Sequence, residues 1–307
     1  MRCGAEKVRF IGRGDFRAPF ADPNLGMTRH ARRAAEAVLP RSVALAFHGE
    51  YVRARPKCSY FFGAYANIRS KVVADLRAHG VRVHSFFHSI ASEPELDARL
   101  VCALTPVSHT FARARPPKIV DSYIAVLDLV ARARVDVDAV VLMRFDVIYR
   151  TQISRLPIDW TKVTYAWPDA QQHTFANLPN RFVREIKTSD LLMVMPRRYV
   201  GPMRAALLSI REANPQRTAF SKGNAHWTYD PLGVAIGYRN LAFVDPKPFT
   251  SVVSWSHGRF LAIDRSCPPA DGELPVLRAG RRRGAENGTV GGRCGNSGGR
   301  APVVHYV

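Results

Sequence analysis

The stretch Asp138-Ala139-Val140-Val141-Leu142-Met143-Arg144-Phe145-Asp146 decides the fold class, because a continuous apolar run ends abruptly in charged residues. Such a run is typical of a strand that is buried on both faces, as in a parallel sheet. The preceding segment, residues 118–134, carries apolar residues at helical spacing. A helix that leads directly into a buried strand favours an alternating α/β fold.

The same alternation continues on both sides of this stretch. Further strands are predicted at residues 43–49, 81–87, 162–167 and 191–195, and further helices at residues 67–79 and 203–210. Gly80 follows the first of these helices, at a position where helices commonly end. Residues 88–117 show no clear period and are predicted to be irregular. The sequence therefore predicts a mostly parallel open sheet flanked by helices, of the Rossmann-like type.

The composition predicts one folded domain with less ordered ends. Hydrophobic residues make up 47% of the 307 residues, which is enough for a sizeable core. Residues 1–41 lack a clear period and are predicted to form a loosely ordered leader. Residues 42–266 are predicted to form the single α/β domain. Residues 267–307 are rich in glycine and arginine and are predicted to be disordered, because they offer little apolar surface to bury.

The net charge of +20 suggests that the protein could bind a polyanion. One hypothesis is therefore a basic protein that binds nucleic acid or another polyanion. The arginines are scattered along the whole chain, however, and are not grouped in a stripe. This distribution favours a generally basic surface over a nucleic-acid interface.

The cysteines and the apolar runs bear on the compartment. The five cysteines form no CxxC pair, which favours reduced thiols, with Cys102 as a small buried hydrophobic residue. The alternative pairings are Cys58–Cys102 and Cys267–Cys294. Either disulfide would require an oxidising compartment. No apolar run reaches the roughly 18 residues of a membrane span and no signal peptide is recognisable, which predicts a cytoplasmic protein, or one of the Golgi or ER lumen if an anchor precedes this chain.

Polar residues that directly follow buried strands are the first candidates for a site, because open α/β sheets bind ligands beyond the carboxyl ends of their strands. Asp146 follows the strand quoted above, and its carboxylate could bind a divalent cation. Arg144 lies two residues earlier, on the same face, and could meet a phosphate or pair with Asp146. A purely structural Arg–Asp pair is the alternative. His48 lies at the end of the first predicted strand and is a further candidate for the same site.

A second group of candidates lies later in the chain. His226 stands among aromatic residues in the segment 223–230, where it could bind a metal ion or help to form a platform for an acceptor sugar. A structural histidine is the alternative. Phosphate-loop, GxGxxG, GxSxG and HExxH motifs do not occur in the sequence, which argues against a nucleoside triphosphatase, a standard dehydrogenase, a serine hydrolase and a zinc protease.

Two blocks carry a resemblance to a known group of proteins. The block from Lys118 to Trp167, with Arg144-Phe145-Asp146 at its centre, and the block Ser189-Asp190-Leu191-Leu192-Met193-Val194-Met195-Pro196 resemble glycosyltransferase-like proteins with a GT-A-type fold. In these proteins, an Arg-Xaa-Asp element stands where better-known members carry Asp-Xaa-Asp.

The resemblance implies transfer of a sugar from a nucleotide-diphosphate donor to a glycan or other acceptor. Under this hypothesis, His48, Arg144 and Asp146 bind the nucleotide sugar. The resemblance also implies that Asp146 helps to hold Mn²⁺ or Mg²⁺ at the diphosphate. It makes Asp190 a candidate general base or acceptor ligand in an inverting reaction. A carboxylate that only caps a helix or a turn is the alternative. Arg144 replaces the first aspartate of Asp-Xaa-Asp, which puts metal dependence in question. A transferase-like domain without activity is therefore a third hypothesis.

Overall fold

A computed structural model describes residues 38–53, 59–114, 119–169, 187–212, 228–245 and 260–263. Most of the predicted leader and the whole predicted tail, residues 267–307, lie outside these ranges. Within them, no helix is both long enough and apolar enough to cross a bilayer.

Strands and helices alternate over residues 59–144, and short strands predominate over residues 147–196. The strands are β1 (Ser42–Gly49), β2 (Val52–Arg53), β3 (Ser59–Tyr60), β4 (Arg82–Ile90), β5 (Ser108–Ala112), β6 (Ala139–Arg144), β7 (Val147–Tyr149), β8 (Val163–Tyr165), β9 (Pro168–Asp169), β10 (Lys187–Thr188), β11 (Leu192–Pro196), β12 (Leu241–Phe243) and β13 (Leu261–Ile263). The helices are α1 (Phe61–Ile68), α2 (Asp75–Ala78), α3 (Pro94–Leu104), α4 (Ile119–Arg132), α5 (Val200–Glu212) and α6 (Tyr229–Ile236).

The centre of the molecule is a seven-stranded sheet with the order β12-β8-β11-β6-β1-β4-β5. Strands β5, β4, β1 and β6 are mutually parallel, and β11 runs antiparallel to both of its neighbours, β6 and β8. The predicted fold class, a mostly parallel α/β sheet of Rossmann-like type with flanking helices, is confirmed. The remaining strands form three small ladders, β2 with β3, β7 with β13, and β9 with β10.

Both faces of the sheet are covered, which explains the continuous apolar runs. On one face, Val43, Leu45 and Phe47 of β1 belong to a core that also contains buried residues of α1, α2 and α3. On the other face, Ala44 and Ala46 belong to a core built with α4, α5 and α6. Helix α4 packs directly across β1 and β4. The small alanines of β1 let this helix approach the sheet closely.

Two predicted segments differ from the structure. The helix predicted at residues 67–79 begins at Phe61 and passes through a π-helical turn, Arg69–Ala74, before α2. Its first turns contain aromatic residues and Gly63, which have poor helix propensity and conceal the start. Gly80 ends this helical segment with a φ of 76°, as predicted.

The prediction of an irregular stretch at residues 88–117 is wrong, because α3 and β5 lie there. Strand β5 is the last strand at its edge of the sheet and is mostly half-buried, so its polar sequence gives no strong signal.

The favoured prediction of Cys102 as a reduced, buried residue is also wrong. Cys102 lies in α3, is half-buried, and forms a disulfide bond with a cysteine outside the described residues. The residues next to Cys102 in the sequence are apolar, which indicates the buried face of a helix. They do not show whether the cysteine is reduced or disulfide-bonded. A disulfide is typical of proteins that mature in an oxidising compartment.

Candidate functional site

The order of the strands defines where a ligand would bind. From β1 the chain moves to β4 and then to β5 on one side, and it then returns to form β6 on the other side of β1. The direction of strand addition therefore reverses between β1 and β6. In open α/β sheets, ligands bind outside the carboxyl ends of the strands at such a switch point.

Four polar residues lie side by side at this edge and form what we call the edge row, namely Thr110, His88, His48 and Arg144. The parallel register pairs His48 with His88 on β4 and with Arg144 on β6, and it pairs His88 with Thr110 on β5. Residues in register share one face of a sheet, and this face is the one that α4 covers. The predicted candidates His48 and Arg144 are therefore neighbours.

Arg144 forms ion pairs with Asp146 and Asp190, and we call these three residues the Arg144 cluster. Its Nε and Nη2 donate to the two carboxylate oxygens of Asp146, at 2.8 and 2.6 Å. Its Nη1 donates to Oδ2 of Asp190 at 3.3 Å. The side chains of Arg144, Asp146 and Asp190 are 22%, 3% and 15% exposed. The cluster thus lies at the boundary between the core and the crevice.

Phe145, which lies between Arg144 and Asp146, anchors the end of β6 from the opposite face of the sheet. Phe145 is buried and its ring stacks on that of Phe47, with centroids 5.4 Å apart. It also makes edge contacts with Tyr51 and Phe61. Alternation along the strand therefore directs Phe145 into one core and leaves Arg144 at the edge row.

Asp190 reaches the cluster because β11 is reversed. A strand antiparallel to β6 begins at the edge where β6 ends, so the residues just before β11 lie beside Arg144. Tyr123 of α4 fixes this entry by donating its hydroxyl to the backbone oxygen of Asp190 at 3.1 Å. The sequence predicted the strand and its acidic start, whereas the direction of β11 follows only from the structure.

The two carboxylates determine the charge state of Arg144. Burial opposes the charged form, but Asp190 and Asp146 outweigh this effect and raise the pKa of the guanidinium above its ordinary value. With one cation and two carboxylates, the Arg144 cluster carries a net charge of about −1 at neutral pH. The three hydrogen bonds use three of the five N–H donors of Arg144, so an anionic ligand would have to bind the remaining donors against this negative charge or displace Asp190.

His48 is fully enclosed and uncharged. It is 2% exposed, and the ring of Tyr123 covers it with centroids 3.7 Å apart. Burial lowers the pKa of His48 to about 3; Asp190 partly opposes this effect, while Arg144 and His88 add to it. Neither ring nitrogen has a hydrogen-bond partner among the described residues.

His88, Thr110 and Tyr123 are site residues that the sequence did not reveal. His88 is 6% exposed, and its Nδ1 is 2.7 Å from the hydroxyl of Thr110. Burial lowers the pKa of His88 as well, with Asp121 opposing. His88 and Thr110 fall in the stretch that was predicted to be irregular. Tyr123 was predicted only as part of the apolar face of its helix. The one available signal was the position of His88 directly after Phe86-Phe87, where a buried strand turns polar.

The described residues do not fit a divalent metal ion at Asp146. Both oxygens of Asp146 already face the guanidinium of Arg144. Across the described ranges, no group of three histidine, cysteine, aspartate or glutamate side chains could hold a metal. His226, the other predicted ligand, lies outside these ranges. The Mn²⁺ or Mg²⁺ site therefore stays a prediction.

A shallow pocket at the opposite, amino edge of the sheet is a weaker candidate. Its lining includes Arg197, Arg198 and Trp160. Arg197 donates to the backbone oxygen of Val130 at 3.2 Å, and Arg198 donates to that of Thr161 at 2.6 Å. These two cations thus cap local backbone, and the concentration of buried polar groups lies at the carboxyl edge instead.

Comparisons with known proteins give no family. No family model matches the chain, and no curated protein matches it.

Proposed function

We propose that this protein is a glycosyltransferase that transfers a sugar from a nucleotide-diphosphate donor to a hydroxyl group of a glycan or other acceptor. The observation that carries the proposal is the Arg144 cluster, with Asp146 and Asp190 on one guanidinium at the β1/β6 switch point. The resemblance of Arg144-Phe145-Asp146 to the Arg-Xaa-Asp element of GT-A-type transferases supports the same assignment.

Arg144 would receive the diphosphate. Asp146 holds the guanidinium through two short hydrogen bonds, which leaves Nη1 as the nitrogen facing Asp190. The contact with Asp190 is the longest of the three, so a phosphate oxygen would replace Asp190 there more easily than it would replace Asp146. Nη1 would then neutralise charge that develops on the leaving diphosphate.

Asp190 would act as the general base. Once displaced from Arg144, its carboxylate accepts the proton of the acceptor hydroxyl. The acceptor oxygen forms a bond to the anomeric carbon of the sugar, and the bond from that carbon to the diphosphate oxygen breaks. The electron pair of the broken bond leaves with the nucleoside diphosphate, and the configuration of the sugar is inverted.

The metal ion implied by the resemblance is not required for this scheme. Arg144 stands where the first carboxylate of Asp-Xaa-Asp would stand, and it brings a fixed positive charge to the place of a metal ligand. We therefore propose that Arg144 performs the charge neutralisation that a divalent cation performs in the better-known members. Binding of the donor should then persist in a chelator.

Thermal unfolding with uridine diphosphate, UDP, tests the proposal. We expect UDP or another nucleoside diphosphate to raise the unfolding temperature, to a similar extent with Mn²⁺ and with EDTA. Arg144→Lys should abolish this shift, because an ammonium cannot reproduce the two-point contact with Asp146. Arg204→Lys is the matched control, since Arg204 pairs with Asp128 between α4 and α5, away from the edge row. An intact fold that no nucleoside diphosphate or nucleotide sugar stabilises would refute the proposal.

A transferase-like domain without activity is the second candidate, and the pairing of Arg144 with two carboxylates favours it. If Asp190 never leaves Arg144, the net negative charge of the cluster opposes the binding of an anionic donor. The two candidates differ in turnover, which is measured as release of UDP from a nucleotide sugar in the presence of glycan acceptors. If the protein is an active transferase, the wild type releases UDP and Asp190→Asn abolishes this release. If the domain is inactive, the wild type releases no UDP.

A further inference from the structure

The two ring nitrogens of His48 are the least explained polar atoms at the carboxyl edge. Both are buried, and neither has a hydrogen-bond partner among the residues that the structure describes. A neutral imidazole carries one N–H donor and one acceptor, and buried groups of this kind are almost always paired. Unpaired buried nitrogens weaken the folded state. A side chain needed only for packing would be better served by a phenylalanine.

The position of His48 indicates where a partner would come from. Gly49 follows with a φ of 95°, so the chain turns out of the sheet directly after His48. Tyr123 covers one face of the imidazole, while His88 and Arg144 flank it along the edge row. We therefore expect a partner to approach the ring from beyond the carboxyl end of β1. This is the direction of the ligand crevice at a switch point. Because both nitrogens are enclosed, the partner would have to displace the groups that cover them.

The chemistry of the row selects the kind of group that would bind. Both His48 and His88 are held neutral by burial, so they offer no charge to a phosphate. A hydroxyl group donates and accepts at once, and it can therefore pair with an imidazole nitrogen in either tautomer. Arg144 on β6 thus supplies the positive charge of the edge row, whereas His48 on β1 and His88 on β4 supply uncharged polar groups.

We infer that His48, supported by His88, forms a subsite that binds a sugar-ring hydroxyl of the donor beside the Arg144 cluster. The inference rests on the proposed transferase function. It places the diphosphate of the donor at Arg144 and a sugar hydroxyl of the donor at the two histidines. The hydroxyl belongs either to the transferred sugar or to the ribose of the nucleotide, since both adjoin the diphosphate. The subsite would explain why a fully buried histidine is retained there with its nitrogens unpaired.

Three variants and a set of ligands test the inference by calorimetry. His48→Phe keeps a ring against Tyr123 and removes both nitrogens, whereas His48→Gln restores one donor and one acceptor. His109→Phe is the matched control, because His109 lies on β5 and stacks on Phe87 in the opposite core. The ligands are UDP, 2′-deoxy-UDP and a panel of UDP-hexoses.

We expect His48→Phe to fold, to unfold at the same or a higher temperature than the wild type, and to bind UDP-hexoses about tenfold more weakly. His48→Gln should recover most of this affinity, and His109→Phe should bind as the wild type does. A loss confined to UDP-hexoses assigns the hydroxyl to the transferred sugar. A loss already seen with UDP, but not with 2′-deoxy-UDP, assigns it to the ribose.

The opposite results are equally distinct. Unchanged affinity in His48→Phe overturns the inference and leaves the transferase proposal standing. Failure of His48→Phe to fold while His48→Gln folds also overturns it, because the nitrogens would then serve the structure. A wild type that binds none of these ligands refutes the transferase proposal, and the subsite with it.

Discussion

Arg144 donates hydrogen bonds from Nε and Nη2 to the two carboxylate oxygens of Asp146, at 2.8 and 2.6 Å. The two residues are separated by Phe145, which is buried on the other side of the strand. This pair fixes the plane of the guanidinium and leaves Nη1 facing Asp190. The two carboxylates therefore have different tasks, because Asp146 holds Arg144 in place and Asp190 lies at the rim. Their substitutions should differ accordingly.

Arg144→Met should destabilise the fold by about 3–5 kcal/mol, because it leaves the carboxylate of Asp146 buried without its cation. Urea-induced unfolding measures this loss. The double variant Arg144→Met/Asp146→Leu should be more stable than Arg144→Met alone, since no unpaired charge remains. A loss below about 1 kcal/mol in the single variant would show that the pair is energetically unimportant.

Asp190→Asn should leave the fold nearly intact, with a loss within about 1 kcal/mol, because Asp190 is partly exposed and makes the longer contact. It should also tighten UDP binding, since the substitution removes a negative charge that competes for Nη1 of Arg144. Sugar transfer should be lost, because an amide cannot accept the proton of the acceptor. Calorimetry and UDP release measure the two effects, and weaker UDP binding in this variant would contradict the exchange at Arg144.

Acidification should destabilise the protein through His48. The unfolded chain binds a proton at this histidine below its ordinary pKa of 6.5, whereas the folded chain binds it only near the lowered pKa of about 3. Stability is therefore greatest above pH 6.5 and falls as the pH drops towards 3, by up to about 1.4 kcal/mol per pH unit from this residue. His88 acts in the same direction, because its pKa is lowered too.

His48→Phe isolates the contribution of His48 to this pH dependence. The difference in unfolding free energy between the variant and the wild type should grow in favour of the variant between about pH 7 and about pH 5. A constant difference across this range would mean that His48 binds its proton in the folded state as readily as in the unfolded chain.

The disulfide of Cys102 should protect two of the five cysteines from alkylation. Protein folded under oxidising conditions should therefore show at most three modified cysteines by mass spectrometry before reduction, and five after it. Reduction should lower stability by about 2–4 kcal/mol, because the cross-link restricts the unfolded chain. Cys102→Ser should expose one new thiol, which identifies the partner. Five reactive thiols in the oxidised, folded protein would contradict the bond.

The parts of the fold that follow from sequence are those with strong apolar periodicity. Strands β1, β6 and β11 and helix α4 were predictable because each buries one or both faces and shows this in its residues. Strand β5 and helix α3 were not predicted, since an edge strand with polar residues resembles a loop. The π-helical turn Arg69–Ala74 was equally invisible, because its register shift is a property of the backbone.

The candidate site was half predictable for a similar reason. Arg144 and Asp146 are two residues apart, so their proximity follows from the geometry of one strand. Asp190 joins them through the antiparallel pairing of β11, and His88 and His48 meet through the register of two parallel strands. Such long-range relationships depend on strand order and direction, which periodicity does not encode.

The reversed direction of β11 also has a consequence for the order of folding. Arg144 and Asp146 are local partners, so their ion pair can form as soon as the end of β6 is in place. The contact between Arg144 and Asp190 closes a loop of 46 residues and must await the docking of β11. The site therefore acquires its second carboxylate only when β11 is docked, and before that step the arginine cation would be balanced by a single carboxylate. The anionic character of the finished cluster is therefore a property of the completed sheet.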